Sequence, residues 1–136
     1  MLVDSLANSQ LDYMFGNASG PLGATVYIGL LLAYPNSNGT GVVEPTGGSY
    51  VRKAVTNNAT EWPAAVGREK WHANDIIWTA ASADWGLVLA AGAFDALSGG
   101  NLKAVAPLAT SRQVNNTDVF RFLASNPLKF SHTWGL

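Results

Sequence analysis

The sequence predicts a mainly β protein: an antiparallel β-sandwich or barrel-like domain of about 7–9 short strands, with one short N-terminal helix. Three observations lead to this prediction. From residue 24 to residue 134, β-branched and aromatic runs alternate with turn-forming residues at roughly ten-residue spacing. Residues 4–16 instead have apolar side chains at helical spacing. The length of 136 residues fits a single domain, 1–136, with a core of its own.

The first two elements are the helix and a central strand. Asp4 is a suitable helix N-cap, and Gly16 is a natural stop for the segment DSLANSQLDYMFG. The run ATVYIGLLLAY, residues 24–34, is apolar almost throughout. Such a run is typical of a strand that is buried on both faces, so we expect it in the middle of a sheet.

The segment VEPTGGSYVRKAV, residues 43–55, could be an anion-binding loop or a turn that enters a strand. A phosphate loop leads its glycines into a helix, whereas Gly47-Gly48 lead into the alternating pattern of a strand. Glu44 would also repel an anion. We therefore interpret the segment as a turn and a half-buried strand, which leaves three environments open for Arg52 and Lys53: solvent, pairing with Glu44, or contact with another subunit.

The remainder of the chain is expected to supply the other strands. Residues 57–74 are predicted to be an irregular segment. Strands are expected in DIIWTAA, WGLVLAAGAFDAL and PLKFSHTW, and two short ones around the turn NNTD. Pro107 interrupts LKAVAPLA, which predicts an edge strand or a strand end there.

The composition excludes several classes of function. The chain has no cysteine, which excludes disulfides, thiolate zinc sites and a cysteine nucleophile. The net charge is −1 and the basic residues are spread from Arg52 to Lys129, so we expect no basic cluster and no nucleic-acid partner. No run is long and apolar enough to insert into a bilayer. Charged residues are only 12% of the chain, which favours association with other chains.

No catalytic or cofactor-binding pattern is present in the sequence. The two histidines, His72 and His132, are not accompanied by a nucleophile elbow. His72 and Asp75 in HAND could bind a metal, but the spacing of the acids matches no zinc or EF-hand motif. We therefore expect a protein that is not an enzyme and that has no cofactor or metal.

The five tryptophans are the strongest candidates for core and contact residues. Trp78 and Trp85 lie in predicted strands, which favours the core. Aromatic residues in irregular segments often form contact hot spots or stack on sugars. The predicted interface residues are Trp62, Trp71, His72, Arg52, Lys53 and Trp134.

Two segments resemble small, tail-fibre-like structural proteins of tailed bacteriophages. One carries Glu-Pro followed by Gly-Gly-x-Tyr-x-Arg, here EPTGGSYVR at 44–52. The other carries Asp-Trp-Gly and then Phe-Asp-Ala-x-x-Gly-Gly-Asn-Leu, here DWG at 84–86 and FDALSGGNL at 94–102. The resemblance covers roughly residues 4–123. The longer, Trp-rich segment 57–74 and the turn NNTD depart from the usual pattern.

The resemblance implies a virion component without catalytic activity, on the capsid surface or the tail. We expect a capsid decoration (cement) protein that binds the capsid lattice and stabilises it. The alternative is a small tail-fibre or tail accessory protein that contacts the host surface, with a host glycan as a candidate ligand. In either case the expected partners are other virion proteins, a major capsid protein or tail proteins, and further copies of the chain, in a trimer.

Overall fold

The computed structural model describes residues 4–16 and 22–131. Its one helix, α1, is followed by eight strands, which fall within the predicted number. The elements in chain order are α1 (Asp4–Met14), β1 (Thr25–Leu31), β2 (Lys53–Thr56), β3 (Glu69–Trp71), β4 (Ile76–Ile77), β5 (Gly86–Phe94), β6 (Leu102–Val114), β7 (Arg121–Phe122) and β8 (Lys129–Ser131). The predicted contact residue Trp134 lies outside the described residues, and so does His132.

The strands form three antiparallel sheets. The largest has the order β2-β1-β5-β6, and the two small sheets pair β3 with β8 and β4 with β7. A single buried cluster joins one face of the large sheet to both small sheets and to the end of α1. This arrangement confirms a mainly β, sandwich-like fold, and the described strands do not close into a barrel.

Strand β1 is buried on both faces, as its apolar run predicts. Val26, Ile28 and Leu30 belong to the main core. Leu31 belongs to a smaller cluster on the other face, together with Phe94. The second cluster brings residues 42–44 and the turn after β5 close to the sheet, and this proximity builds the site described below.

Three strand predictions need correction. Strand β2 begins at Lys53 because the backbone before it is bonded elsewhere: the carbonyl of Val51 accepts the indole N–H of Trp78 at 2.9 Å. The segment 57–74 is not wholly irregular, since β3 lies within it and pairs with β8. Strand β6 continues through Pro107 without the predicted interruption, and its register with β5 shifts between Val88 and Ala90. The predicted edge position of this strand is confirmed.

Buried polar contacts attach helix α1 to the β domain. The ammonium group of Lys70, a residue only 2% exposed, pairs with Asp12. The backbone N–H of Ala65 donates to the same carboxylate at 2.8 Å. Burial alone would raise the pKa of Asp12, but these bonds outweigh it and lower that pKa. Asn57, 1% exposed, donates to the carbonyl of Met14 at 3.2 Å and so holds the end of the helix.

Candidate functional site: an apolar patch on a buried ion pair

The centre of the site is a buried ion pair between Glu44 and Arg52. The guanidinium donates two hydrogen bonds to the carboxylate, Nε to Oε1 at 3.0 Å and Nη2 to Oε2 at 2.7 Å. Nη1 donates to the carbonyls of Ala96 and Gly99, both at 2.8 Å, and the group stacks 3.5 Å above the ring centre of Phe94. Arg52 is thereby paired with Glu44, which decides among the three environments that the sequence leaves open.

Tyr50 extends this network to the edge of the sheet. Its hydroxyl donates to Oε1 of Glu44 at 2.7 Å and accepts the backbone N–H of Leu30 at 2.8 Å. The next outward N–H of the chain, that of Leu32, donates to the carbonyl of Val43. The N–H groups of Leu30 and Leu32 extend beyond the end of β2, where a longer β2 would have bonded them. The hydroxyl of Tyr50 and the carbonyl of Val43 accept these two N–H groups instead. Burial and the bond to Glu44 raise the pKa of Tyr50 above its ordinary value, so it remains a neutral donor.

The turn between β5 and β6, residues 95–101, is shaped to receive Arg52. The carboxylate of Asp95 accepts the backbone N–H of Asn101 at 2.7 Å and its side-chain amide at 3.1 Å. These bonds lower the pKa of Asp95. Gly100 has a φ of +65°, and a Cβ there would clash with Oδ1 of Asp95, so the turn needs glycine at this position. The closed turn directs its carbonyls at the guanidinium.

Trp85 holds the other end of the 44–52 loop. Its indole N–H donates to the carbonyl of Gly48 at 2.8 Å, and its ring meets that of Tyr50 edge to face at 5.3 Å. Gly47 and Gly48 have φ angles of +72° and +60°, as the predicted turn requires, and Ser49 also has a positive φ, of 65°. The loop is thus fixed at both ends before it reaches the surface.

An apolar patch lies on the solvent side of this network. Val43, Val51 and Leu97 are 46%, 59% and 55% exposed, and all three line one open cleft with a volume of about 560 Å³. Two of them come from the 44–52 loop and its approach, and the third comes from the 95–101 turn. Because the ion pair locks these two segments together, the patch is a fixed surface, and we call it the apolar patch.

A family model described as podophage GP4 fiber I protein gp80 matches residues 1–129. The chain belongs to this family. The family is one of phage fibre proteins, which makes the chain a structural component of a tailed-phage virion and confirms the resemblance seen in the sequence. A search of curated proteins found no match.

Three of the predicted interface residues lie inside the fold of this fibre-family protein, and their predicted role is corrected to a structural one. Trp62 is fully buried and packs on Phe15 at 4.9 Å between ring centres. Its indole N–H has no hydrogen-bond partner within the described part of the chain. Arg52 is 8% exposed and His72 is 1% exposed. Trp62 and His72 are buried because the small sheets fold the segment 57–74 onto the core, a long-range effect that local irregularity does not reveal. Arg52 is buried by its bonds to Glu44 and to the 95–101 turn.

Two of the predicted interface residues reach the surface. Trp71 is half-buried, and the ammonium of its cross-strand neighbour Lys129 lies 5.5 Å from its ring centre. Lys53 is half-buried on the edge strand β2. Trp78 and Trp85 are core residues, as predicted.

His72 uses both ring nitrogens inside the protein. Nδ1 lies 2.6 Å from the carbonyl of Asn74, and Nε2 accepts the backbone N–H of Leu128 at 3.0 Å. The bond to Leu128 requires Nε2 to be unprotonated, so the proton resides on Nδ1. Burial lowers the pKa of His72, which keeps the ring neutral. This histidine joins the 72–74 turn to the last strand and has no free nitrogen for a metal or for proton transfer.

Within residues 4–16 and 22–131, no three histidine or acidic side chains are grouped closely enough to hold a metal ion. The helix of the described chain is too short and too polar to cross a membrane.

The residues of the apolar patch were not predicted from the sequence. The motifs do not indicate them, because Val51 and Leu97 occupy unspecified positions of Tyr-x-Arg and Ala-x-x-Gly and Val43 lies outside both motifs.

Proposed function

We propose that the chain is a non-enzymatic component of the phage tail fibre that acts by packing against further copies of itself and against neighbouring tail proteins. The observation that carries this proposal is the match of residues 1–129 to a family described as a fibre protein. The description favours the tail over the capsid surface. Capsid decoration, the first expectation from the sequence, has no observation of its own in support and stays an alternative.

The apolar patch is the surface best suited to contact between copies. Its exposed side chains Val43, Val51 and Leu97 are uncharged, so identical copies can meet around a symmetry axis without bringing like charges together. Beside it, β2 is an edge strand whose partner in the described sheet is β1 alone. An exposed strand edge is ready to pair with another chain. We propose a homo-oligomer assembled through this surface, in the form of a trimer.

The location is tested by labelling intact particles with antibodies raised against the purified chain. Label on the tail, at a copy number that is a small multiple of the tail symmetry, is the expected result. Label spread over the head, at a copy number close to that of the capsid lattice positions, would overturn the fibre assignment in favour of decoration.

The contact surface is tested by sedimentation of the purified chain and of matched lysine variants. We expect Val51→Lys with Leu97→Lys to yield monomers, because burying two ammonium groups in an apolar contact is costly. The control is Val66→Lys with Val119→Lys, at positions 61% and 45% exposed and outside the patch, and it should leave the oligomer intact. Circular dichroism establishes that both variants fold. If both pairs leave the oligomer intact, or the wild-type chain is a monomer at micromolar concentration, the patch is not the contact.

A further inference from the structure

A groove between β6 and the segment 121–129 gathers three of the chain's eight basic residues. It is an open cleft with a volume of about 650 Å³. Arg112, Arg121 and Lys129 line it, and no acidic residue is part of its lining. The sequence had predicted no basic cluster, because these residues are far apart along the chain. That expectation was wrong: the antiparallel return of the chain after β6 places them around one cleft, which we call the basic groove.

In the described part of the chain, the cations of the basic groove have no ionic partner, whereas three cations elsewhere are paired. Arg52, Lys70 and Lys103 are paired with Glu44, Asp12 and Asp95. Among the described ion pairs, none involves the three side chains of the groove. Like charges brought close together repel one another, so this grouping costs stability in the free protein. An anionic ligand would remove that cost.

Two of the three cations are held in place by aromatic rings. The guanidinium of Arg112 lies 4.7 Å from the ring centre of Phe120 and donates to the carbonyl of Arg121 at 3.3 Å. The ammonium of Lys129 lies 5.5 Å from the ring centre of Trp71. Side chains fixed in this way lose less conformational entropy when a ligand binds. The remaining donors of Arg112 and those of Arg121 are available to an anion.

We propose that the basic groove binds an acidic polysaccharide, through carboxylate or phosphate groups along its chain. Arg112 and Arg121 would act as donors to these groups, because a guanidinium matches their geometry. Thr110 and Asn126, which also line the groove, offer hydrogen-bonding groups for sugar hydroxyls. This inference does not depend on where in the virion the protein sits.

A saccharide fits the groove better than a nucleic acid. Single-stranded nucleic acids are held by bases stacked on exposed aromatic rings. Phe122 is the aromatic residue in the lining, and it is 8% exposed, so it offers no stacking platform.

The test is calorimetric titration of the intact chain with polygalacturonate fragments, with an uncharged glucan of similar length and with a single-stranded DNA oligomer. We expect binding of polygalacturonate that weakens with added salt, and weaker binding of the other two. Poly(glycerol phosphate) in place of polygalacturonate shows whether phosphate serves as well as carboxylate. Either acidic chain binding alone, or both, supports the proposal.

Matched variants locate the binding. Arg121→Gln with Lys129→Gln should weaken polygalacturonate binding about tenfold or more, since two charge-assisted contacts are lost. Lys53→Gln with Lys103→Gln removes the same charge outside the groove and should change affinity less than about threefold. Arg112 is left unchanged because its stacking on Phe120 also serves the fold. Equal losses in both pairs, no binding of either acidic chain at millimolar concentration, or tighter binding of the glucan or the DNA would overturn the proposal.

Discussion

Removal of the Glu44 carboxylate should destabilise the protein far more than removal of a surface ion pair. Glu44→Ala removes two charge-assisted acceptors for Arg52 and one acceptor for Tyr50. Hydrogen bonds to charged groups contribute about 1.5–3 kcal/mol each and neutral ones about 1 kcal/mol. The side chain of Glu44 is 19% exposed, and Arg52 keeps two backbone carbonyls, so the full sum is not lost. We expect a decrease of about 3–5 kcal/mol in the free energy of unfolding, as for other buried pairs that lose one partner.

Chemical denaturation measures this change, and thermal unfolding should show a fall in Tm of roughly 10–17 °C. The control is Lys103→Ala, because Lys103 and Asp95 are both partly exposed and their charged atoms are 4.0 Å apart. Its cost should be below about 1 kcal/mol. A double-mutant cycle of Glu44→Ala with Arg52→Ala should show strong coupling between the two residues. If Glu44→Ala costs no more than the control, the ion pair does not hold the loop and the apolar patch is not a fixed surface.

The other predictions concern three buried positions. Gly29→Ala should lower the free energy of unfolding by about 1–3 kcal/mol through overpacking, since its Cβ would lie 2.6 Å from Oε1 of Glu44. The control, Gly47→Ala, has a φ of +72° and open space around its Cβ, so it tests the backbone cost alone. Equal losses of stability in denaturant for the two variants would contradict the overpacking. Burial lowers the pKa of His72 from 6.5 in the folded state, so the unfolded chain binds the proton first and the free energy of unfolding should fall as the pH drops below about 6.5. His72→Gln should flatten this dependence of stability on pH. Identical curves for the variant and the wild-type chain would refute the role of His72. Asn57→Ala should cost about 1–3 kcal/mol, because the carbonyls of Met14, at the end of α1, and of Gly23 lose their side-chain donor. Native-state hydrogen exchange should then be faster in α1 than in the centre of β1.

Much of the fold could be predicted because its signals are local. The apolar run of β1 indicated a central strand, and the two adjacent glycines of the 44–52 loop indicated a turn with positive φ. The buried positions of Trp78 and Trp85 followed from their place in strand-like patterns. In each case a short stretch of sequence contains the physical cause of the local structure. The apolar run of β1 favours burial on both faces, and the adjacent glycines allow a positive φ.

The incorrect predictions concern contacts between distant segments. Trp62 and His72 lie in a segment with no regular pattern, and they are buried because β3 pairs with β8, nearly sixty residues further along the chain. The basic groove depends in the same way on the return of the chain past β6. No short window of sequence contains that information. Lack of a regular pattern in 57–74 therefore predicts exposure where the residues are buried, and distance along the chain predicts separation where the three cations lie around one cleft.

The motif residues and the surface residues of this chain have different tasks. In EPTGGSYVR and FDALSGGNL, the specified positions build the ion-pair network. Glu44, Tyr50, Arg52 and Phe94 contact one another in it, and Asp95 closes the turn whose carbonyls receive Arg52. The positions that the motifs leave unspecified include Val51 and Leu97, which are exposed in the apolar patch. The specified motif positions therefore hold the 44–52 loop against the 95–101 turn. The proposed contacts between copies depend on the exposed residues Val51 and Leu97 of these two segments. A change at Val51 or Leu97 should alter assembly at little cost in stability, whereas a change at Glu44 should cost stability first.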